Sequence, residues 1–369
     1  MKHRRKLFLT KDIYNLPPTD HLFVRAMQDN IAFHAAKCQQ YREILQHFSF
    51  NLDDLKTIDD LYRITPLPTS YLKNNTMLSK PHDKLFIKTT SSGTGGTKTL
   101  SGYDKGSAFC ALLMGLKVMR FHRLISARRT NYMVLGPKPD KINQTATAKA
   151  LKYFTILAPS SKIEYAVKLK DGEYHVDADD LVNVVKRFEA EGKPVRIIGF
   201  PAYLKLFLEE LAAKGLNAKL HKNSKILFGG GWKTFFAEEI SKEQLFAMAS
   251  EALGIQRQNF KDHFSTAEHP INYIACENNH FHIPVFSRVI IRDVNTLKPV
   301  ENGTPGVLNL ITPLLSSAPY GSIITDDIAV LKNDCGCGVP SPYMQIIGRV
   351  GLSNIRTCTQ QASEFLKNV

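Results

Sequence analysis

A chain of 369 residues is longer than one simple hydrophobic core sustains, since cores stop growing beyond roughly 250–300 residues; a large layered body with a smaller lobe is expected. Its 43% apolar and 22% charged residues are those of a soluble globular protein, and the longest apolar run, 108–116, falls far short of the ~20 residues of a membrane span, which argues against stable membrane insertion. The net charge of +14 comes from Lys and Arg spread along the chain with no zinc-finger, helix-turn-helix or RNP pattern, which argues against nucleic acid and for ATP, a carboxylate or an acidic partner as counter-charge.

Residues Met1–Thr10 are basic but carry an apolar run of only three residues, so no signal peptide is read and a cytoplasmic protein is expected. Phe23, Met27, Ile31 and Ala35 recur at helical spacing and predict helix from Asp20 to Phe50. Leu85–Lys88 predicts a short strand entering the Gly/Ser/Thr loop Thr89–Thr99, and Asp104–Arg123 an amphipathic helix. Strands at Tyr132–Leu135, Val195–Gly199 and Lys225–Phe228 then alternate with helices at Asp179–Ala190, Ala202–Lys214 and Lys242–Leu253, the pattern of a layered α/β body with a largely parallel sheet. From Asn272 the texture changes. Phe286–Arg292, Gly306–Thr312 and Ser322–Val330, broken by Asn-Gly and Pro signals, predict antiparallel strands. The expected division is 1–271, an α/β body binding nucleotide and acyl group; 272–349, a β-rich lobe; and 350–369, a short tail.

Chemistry concentrates at a few places. In Thr89-Thr90-Ser91-Ser92-Gly93-Thr94-Gly95-Gly96-Thr97-Lys98-Thr99, glycines allow close backbone approach and inward-turned N–H groups, while hydroxyls and a lysine add donors for an anion. The spacing fits neither a Walker loop nor G-x-G-x-x-G. Gly229-Gly230-Gly231 ends a strand and presents bare backbone, suited to a flat base. Four cysteines lie beyond residue 270, and Cys276 with His282, followed by Cys335-Gly-Cys337, offers thiolate and imidazole ligands of the kind tetrahedral zinc takes, with His280 as an alternative to His282.

The loop resembles the Ser-Ser-Gly-Thr-Thr-Gly-x-Pro loop of the adenylate-forming superfamily: Ser91, Ser92, Gly93, Thr94, Gly96 and Thr99 match in register, while Gly95 and Lys98 depart. The resemblance implies that this loop wraps the ATP triphosphate and that Gly229, Gly230 and Gly231 receive adenine. Asp262-His-Phe-Ser-Thr-Ala-Glu268 resembles the Tyr-Gly-x-Ser/Thr-Glu motif, with Phe264 and Ser265 in place of Tyr and Gly, and gives Glu268 the Mg²⁺ role. Ile323-Ile-Thr-Asp-Asp327 resembles the Tyr-Arg-Thr-x-Asp motif, with Asp327 on the ribose hydroxyls, and Gly348-Arg349 matches the pair that ends the family's large domain.

Gly229-Gly-Gly-Trp-Lys233, Leu297-Lys-Pro-Val300 and Ile324-Thr-Asp-Asp-Ile328 are similar to the long-chain-fatty-acid–protein ligases, the LuxE-like acyl-protein synthetases of bacterial bioluminescence. Only 20 residues follow Arg349, so the mobile C-terminal domain of the superfamily is expected to be absent or vestigial, and its lysine is replaced in role by Lys98 or Lys233. In that branch a cysteine near the C-terminus takes the acyl group as thioester, and Cys358 occupies the place; a thiolate there is favoured by neighbouring positive charge. The implied activity is acyl-adenylate formation from a fatty acid and transfer to a thiol, with a reductase partner receiving the product. Cys335-Gly-Cys337 before Gly-Arg is instead similar to the phenylacetate–CoA ligases, which implies a structural Zn²⁺ on Cys276, His282, Cys335 and Cys337 and leaves an aryl- or fatty-acid–CoA ligase as the alternative.

Overall fold

The structure, a computed structural model, describes residues 1–90, 100–138, 151–170, 173–176, 178–230, 232 and 239–349. In chain order its first strands are β1 (Leu67–Pro68), β2 (Ile87–Thr90), β3 (Leu100–Tyr103), β4 (Thr130–Pro137), β5 (Ser160–Lys170), β6 (Glu173–Val176), β7 (Val195–Gly199) and β8 (Lys225–Gly229). They are followed by β9 (Phe260–Phe264), β10 (Tyr273–Ile274), β11 (Phe281–His282), β12 (Arg288–Arg292), β13 (Gly306–Ile311), β14 (Ser322–Lys332) and β15 (Tyr343–Arg349). The described residues divide into two units. One takes Met1–Val118, Ser265–Tyr273 and the residues from His280 onward; the other takes Met119–Phe264 and Ile274–Asn279.

The second unit is built on a sheet of order β10-β9-β8-β7-β4-β5-β6, with β5, β4, β7, β8 and β9 running parallel. Aliphatic runs such as Val195–Gly199 form its centre because strands covered on both faces need apolar residues at successive positions. Alternation sends Met133, Leu135, Ile197, Ile226, Phe228 and Phe260 to one face. There they pack on Val185 and Phe188 of helix Ala178–Glu191, Leu204 and Phe207 of Pro201–Ala213, and Leu245 and Leu253 of Lys242–Leu253. That last helix starts at Ser241, whose hydroxyl accepts the Gln244 N–H while the Gln244 side chain returns to the Ser241 N–H, and stops at Gly254 in the left-handed conformation.

The first unit holds a sheet of order β11-β15-β14-β13-β12, antiparallel throughout, to which β1 adds in parallel on β14. Leu308, Leu310 and Ile323 are fully buried in it, and Phe8 of helix Lys2–Leu9 stacks on Phe286 at 4.8 Å. The helix expected over 20–50 is two: Asp20–Lys37 and Gln39–His47, separated by Cys38 in extended conformation. Tertiary anchoring explains the break. His34, near the first helix's end, is fixed by Ser79 at 2.6 Å and the Leu315 carbonyl at 3.2 Å, and this outweighs local helical propensity. No helix among the described residues is long and apolar enough to cross a membrane.

Candidate functional site

The loop 91–99 is flanked by a hairpin. β2 and β3 pair antiparallel from Ile87↔Tyr103 to Thr90↔Leu100. Ser91, Ser92, Gly93, Thr94, Gly96, Lys98 and Thr99 themselves lie outside the described residues. The base of the hairpin is held by residues that carry no sequence motif. Ser317 Oγ donates to the Gly102 carbonyl at 2.5 Å, and a side chain at Gly102 would overlap the Ile87 carbonyl oxygen. Just beyond β3, the Asp104 carboxylate accepts the Ser107 N–H at 2.9 Å and the Ser316 hydroxyl at 2.7 Å, and pairs with Lys80. Burial opposes its charge, but the hydrogen bonds from Lys80, Ser107 and Ser316 win and hold this carboxyl well below the usual range.

The same stretch of chain continues to Tyr320, 1% exposed, whose hydroxyl is pushed up by burial and then by the negative charge of Glu268. Glu268 is itself 6% exposed. Segment 316–320 thus meets the β2–β3 hairpin at one end and Glu268 at the other, all within one unit. The turn bearing Glu268 is knitted by His269: its N–H donates to Thr266 Oγ1 at 3.0 Å, and its Nε2 meets the Tyr273 hydroxyl at 2.9 Å. Tyr273 in turn meets Ser287 Oγ at 2.5 Å. Burial alone pushes the His269 imidazole down to about 3, so it is neutral, and its Nδ1 has no hydrogen-bond partner among the described residues.

Asp327 and Arg349, expected at the nucleotide, are brought together. They face each other across antiparallel β14 and β15, with Arg349 Nε 3.9 Å from Asp327 Oδ1 and its terminal nitrogen 3.9 Å from Asp326 Oδ2. Desolvation raises the Asp327 carboxyl, and Arg349 only partly offsets this. A carboxylate so placed accepts two hydrogen bonds from a diol with little reorganisation.

In the second unit, Gly229 ends β8 and Gly230 follows it. A Cβ on Gly229 would sit 2.5 Å from the His263 carbonyl oxygen, and Gly230 has φ of +80° with the Phe200 ring 3.1 Å from where a Cβ would stand. These glycines are demanded by their neighbours. Gly231 lies outside the described residues. β7 ends at Gly199 and β8 at Gly229, and Gly136 is the last residue but one of β4, so three neighbouring parallel strands carry glycine at or next to their carboxyl ends, where β4 is flanked by β5 on one side and β7 on the other. Carboxyl ends of strands at such a reversal of strand order are where α/β sheets bind ligands. Gly136 and Gly199 were not singled out by sequence; a glycine closing each predicted strand was the available signal.

Cys276, His282, Cys335 and Cys337 form a donor group, all ligand atoms within 4.8 Å of one another. Local structure explains it. Asn279, at φ of +61°, closes a turn whose N–H returns to the Cys276 carbonyl at 3.1 Å and leads into β11, which carries His282 opposite Tyr343 of β15. Cys335 and Cys337 sit in the β14–β15 connection, where Gly336 and Gly338 take left-handed backbone. His282 Nδ1 donates to the Ser341 carbonyl at 2.9 Å, so Nε2 keeps its lone pair and faces Cys337 Sγ at 3.1 Å. His280, the alternative ligand, lies with Nδ1 3.0 Å from Cys335 Sγ but is outside the four-donor group. Three thiols and an oriented imidazole suit a closed tetrahedral metal site.

The model of one family, described as acyl-protein synthetase, LuxE, matches residues 14–367. The chain belongs to the LuxE acyl-protein synthetase family. Within reach of this family lie two curated relatives, both named long-chain-fatty-acid–luciferin-component ligase. That of Vibrio harveyi is 22% identical over 358 residues, 96% of this chain and 91% of its own length. That of Aliivibrio fischeri is 25% identical over 356 residues, 94% of this chain and 89% of its own length. Among solved structures, an open conformation of 2-hydroxyisobutyryl-CoA ligase, in complex with 2-HIB-AMP and CoA, superposes with a TM-score of 0.69 at 15% identity, covering 94% of this chain and 79% of that one. The same ligase in its postadenylation state gives 0.69 at 14%, covering 97% and 74%. The mixed α/β architecture of this LuxE-family chain is therefore that of the adenylate-forming ligases. Cys358, which the family resemblance made the acyl acceptor, lies outside the described residues.

Proposed function

We propose that this acyl-protein synthetase activates a long-chain fatty acid with ATP and transfers the acyl group to its own Cys358. Family membership across residues 14–367 is the observation that carries the reading. In the first step a carboxylate oxygen of the acid attacks the α-phosphorus of ATP, the bond to the β-phosphate oxygen breaks, and pyrophosphate leaves. In the second the Cys358 thiolate attacks the acyl carbon, AMP leaves with the carboxylate oxygen it gained, and the thiol proton passes to solvent.

The loop of Ser91, Ser92, Gly93, Thr94, Gly96 and Thr99 holds the triphosphate, with Lys98 meeting the charge that develops on it. Glu268 helps hold Mg²⁺, which neutralises the phosphates when bound. Asp327 takes the ribose hydroxyls, Arg349 orients Asp327, and adenine lies along Gly229–Gly231. Support for this assignment is the cross-strand Asp327–Arg349 pair and the buried Glu268 tied through segment 316–320 to the hairpin base. The Cys276, His282, Cys335 and Cys337 group holds a structural Zn²⁺, since it offers four protein donors and an imidazole of fixed tautomer. No described cysteine is in a disulfide, which fits the cytoplasmic setting of this reading. An acyl thioester calls for a partner that removes the acyl group, a reductase in this reading.

The test is incubation with Mg-ATP and labelled fatty acids of graded length. The protein should acquire a hydroxylamine-labile label that disappears in Cys358→Ser, while acid-dependent ATP–pyrophosphate exchange persists. Label that survives in Cys358→Ser, or acyl-CoA formed by that variant on adding CoA, overturns the Cys358 acceptor and favours the CoA-ligase reading to which the Cys-Gly-Cys segment is similar.

A further inference from the structure

One face of the seven-stranded sheet carries a row of cations. Arg196 of β7 and Lys225 of β8 are register partners, and Lys261 of β9 stands opposite Leu227, two residues along β8 from Lys225. Alternation therefore puts all three on the same face, away from the helix-covered face of Ile197, Ile226 and Phe260. They sit at the amino ends of their strands, the opposite edge of the sheet from Gly199 and Gly229. Arg123 lies within electrostatic reach of both lysines.

Among the described residues, Arg196 and Lys225 have no carboxylate for a partner. Arg196 is 6% exposed, lies over the Tyr132 ring at 6.0 Å and is hydrogen-bonded to its hydroxyl. Lys225 donates to Asn259 Oδ1 at 2.8 Å. Both partners are neutral. Asp262, next to Lys261 in the chain, is paired with Lys242. No described carboxylate comes within 4.0 Å of Arg196, Lys225 or Lys261. The negative groups that Lys261 feels are Cys276 and Glu277. Burial, and then for Lys225 the repulsion of Arg196, Lys261 and Arg123, pushes both lysines down.

Between Arg196 and Lys225 opens a small cavity walled by Leu124, Phe154, Leu157, Ile198 and Leu227, with a volume of about 10 Å³. That admits one oxygen-sized atom; an acyl chain does not fit. Cations gathered in an apolar setting are costly unless an anion sits among them, and a guanidinium beside ammonium groups selects an oxyanion of more than one charge.

We propose that Arg196, Lys225 and Lys261 form a binding site for a phosphate-type oxyanion. One oxygen enters the cavity between Arg196 and Lys225, and the others turn to Lys261 and Arg123. Free phosphate and the terminal phosphate of an ester share this chemistry. The inference stands on the cations and the cavity and does not draw on the adenylation reading.

The test titrates the full-length protein, with Mg²⁺ and AMP-PNP present in excess to occupy any nucleotide site, with inorganic phosphate and separately with 3′,5′-ADP, by calorimetry and ³¹P line width. Wild type should bind phosphate in the millimolar range, and Arg196→Met or Lys225→Met should weaken it at least about tenfold. Lys261→Gln, at a half-buried position, should weaken it similarly and serves if the Arg196 variant does not fold. Binding of 3′,5′-ADP at least about tenfold tighter than phosphate, and lost in the same variants, identifies an ester as the source. Equal phosphate binding by wild type and the Arg196→Met/Lys225→Met double variant, or equal displacement by chloride at matched ionic strength, overturns the proposal.

Discussion

His269 and Asp327 are buried groups on which the surroundings act in opposite senses. The folded His269 imidazole titrates near 3 and His34 near 4, both far below the ordinary 6.5 of the unfolded chain. Below about 6.5 the unfolded chain takes up protons that the folded one refuses, so stability falls as pH drops from 6.5 toward 3. Urea midpoints measured from pH 7 to pH 4 should decline steadily in wild type. They should decline less steeply in His269→Gln, which begins lower at pH 7 by about 1–3 kcal/mol because Tyr273 and Ser287 lose a partner. Asp327 behaves conversely. Its folded carboxyl is raised by burial, so the folded protein holds a proton the unfolded chain releases, and stability falls as pH rises from the ordinary carboxylate value to the raised one. Asp327→Asn should therefore keep or gain stability at neutral pH while KM for ATP rises about tenfold or more, measured by pyrophosphate exchange. Glu268 and Asp327 were legible in sequence because each ends a short motif. His269, Ser317 and Tyr320 were not: His269 takes its meaning from Tyr273 and Ser287, Ser317 from the Gly102 carbonyl 215 residues away, and neither contact leaves a local pattern.

Among the elements, strands at 132–135, 195–199 and 225–228 and the helices between them were readable because apolar periodicity and length agreed. The antiparallel strands from β12 to β14 were readable from their turn residues. The division of helix 20–50 into two was not legible, because Cys38 is no helix breaker; what divides it is tertiary. Gly229 and Gly230 show how one sequence signal can have a second cause. Read as bare backbone for a base, Gly229 and Gly230 are also needed because His263 and Phe200 crowd them. Gly230→Ala should lower stability by about 1–2 kcal/mol for the left-handed backbone alone, with more from the Phe200 ring. Gly215→Ala, at φ of +60° with nothing within 4 Å, should show the backbone penalty only. Thermal melts of the two variants separate these contributions. Equal losses would mean the Phe200 contact is relieved at no cost.

For the whole chain, the charge of +14 was legible as a number and its meaning was not, since the gathering of Arg196, Lys225 and Lys261 depends on strand register that composition does not encode. The metal group was legible as four residues; the tautomer lock from Ser341 was invisible. Purified protein should carry one zinc per chain by elemental analysis, and Cys337→Ser should lose it together with thermal stability. The position of that group along its hairpin has a further effect. β14 leaves Asp327 and reaches Lys332 just before Cys335 and Cys337, and β15 runs from Tyr343 back to Arg349, so this hairpin has the thiols at its tip and the Asp327–Arg349 pair at its root. β14 is held by β13 on its other side, so a slip of one residue at the tip would move β15 and carry Arg349 to the face opposite Asp327. With zinc at the tip and the ribose at the root, as proposed, metal starvation would surface first as weaker ATP binding and only later as loss of the folded protein.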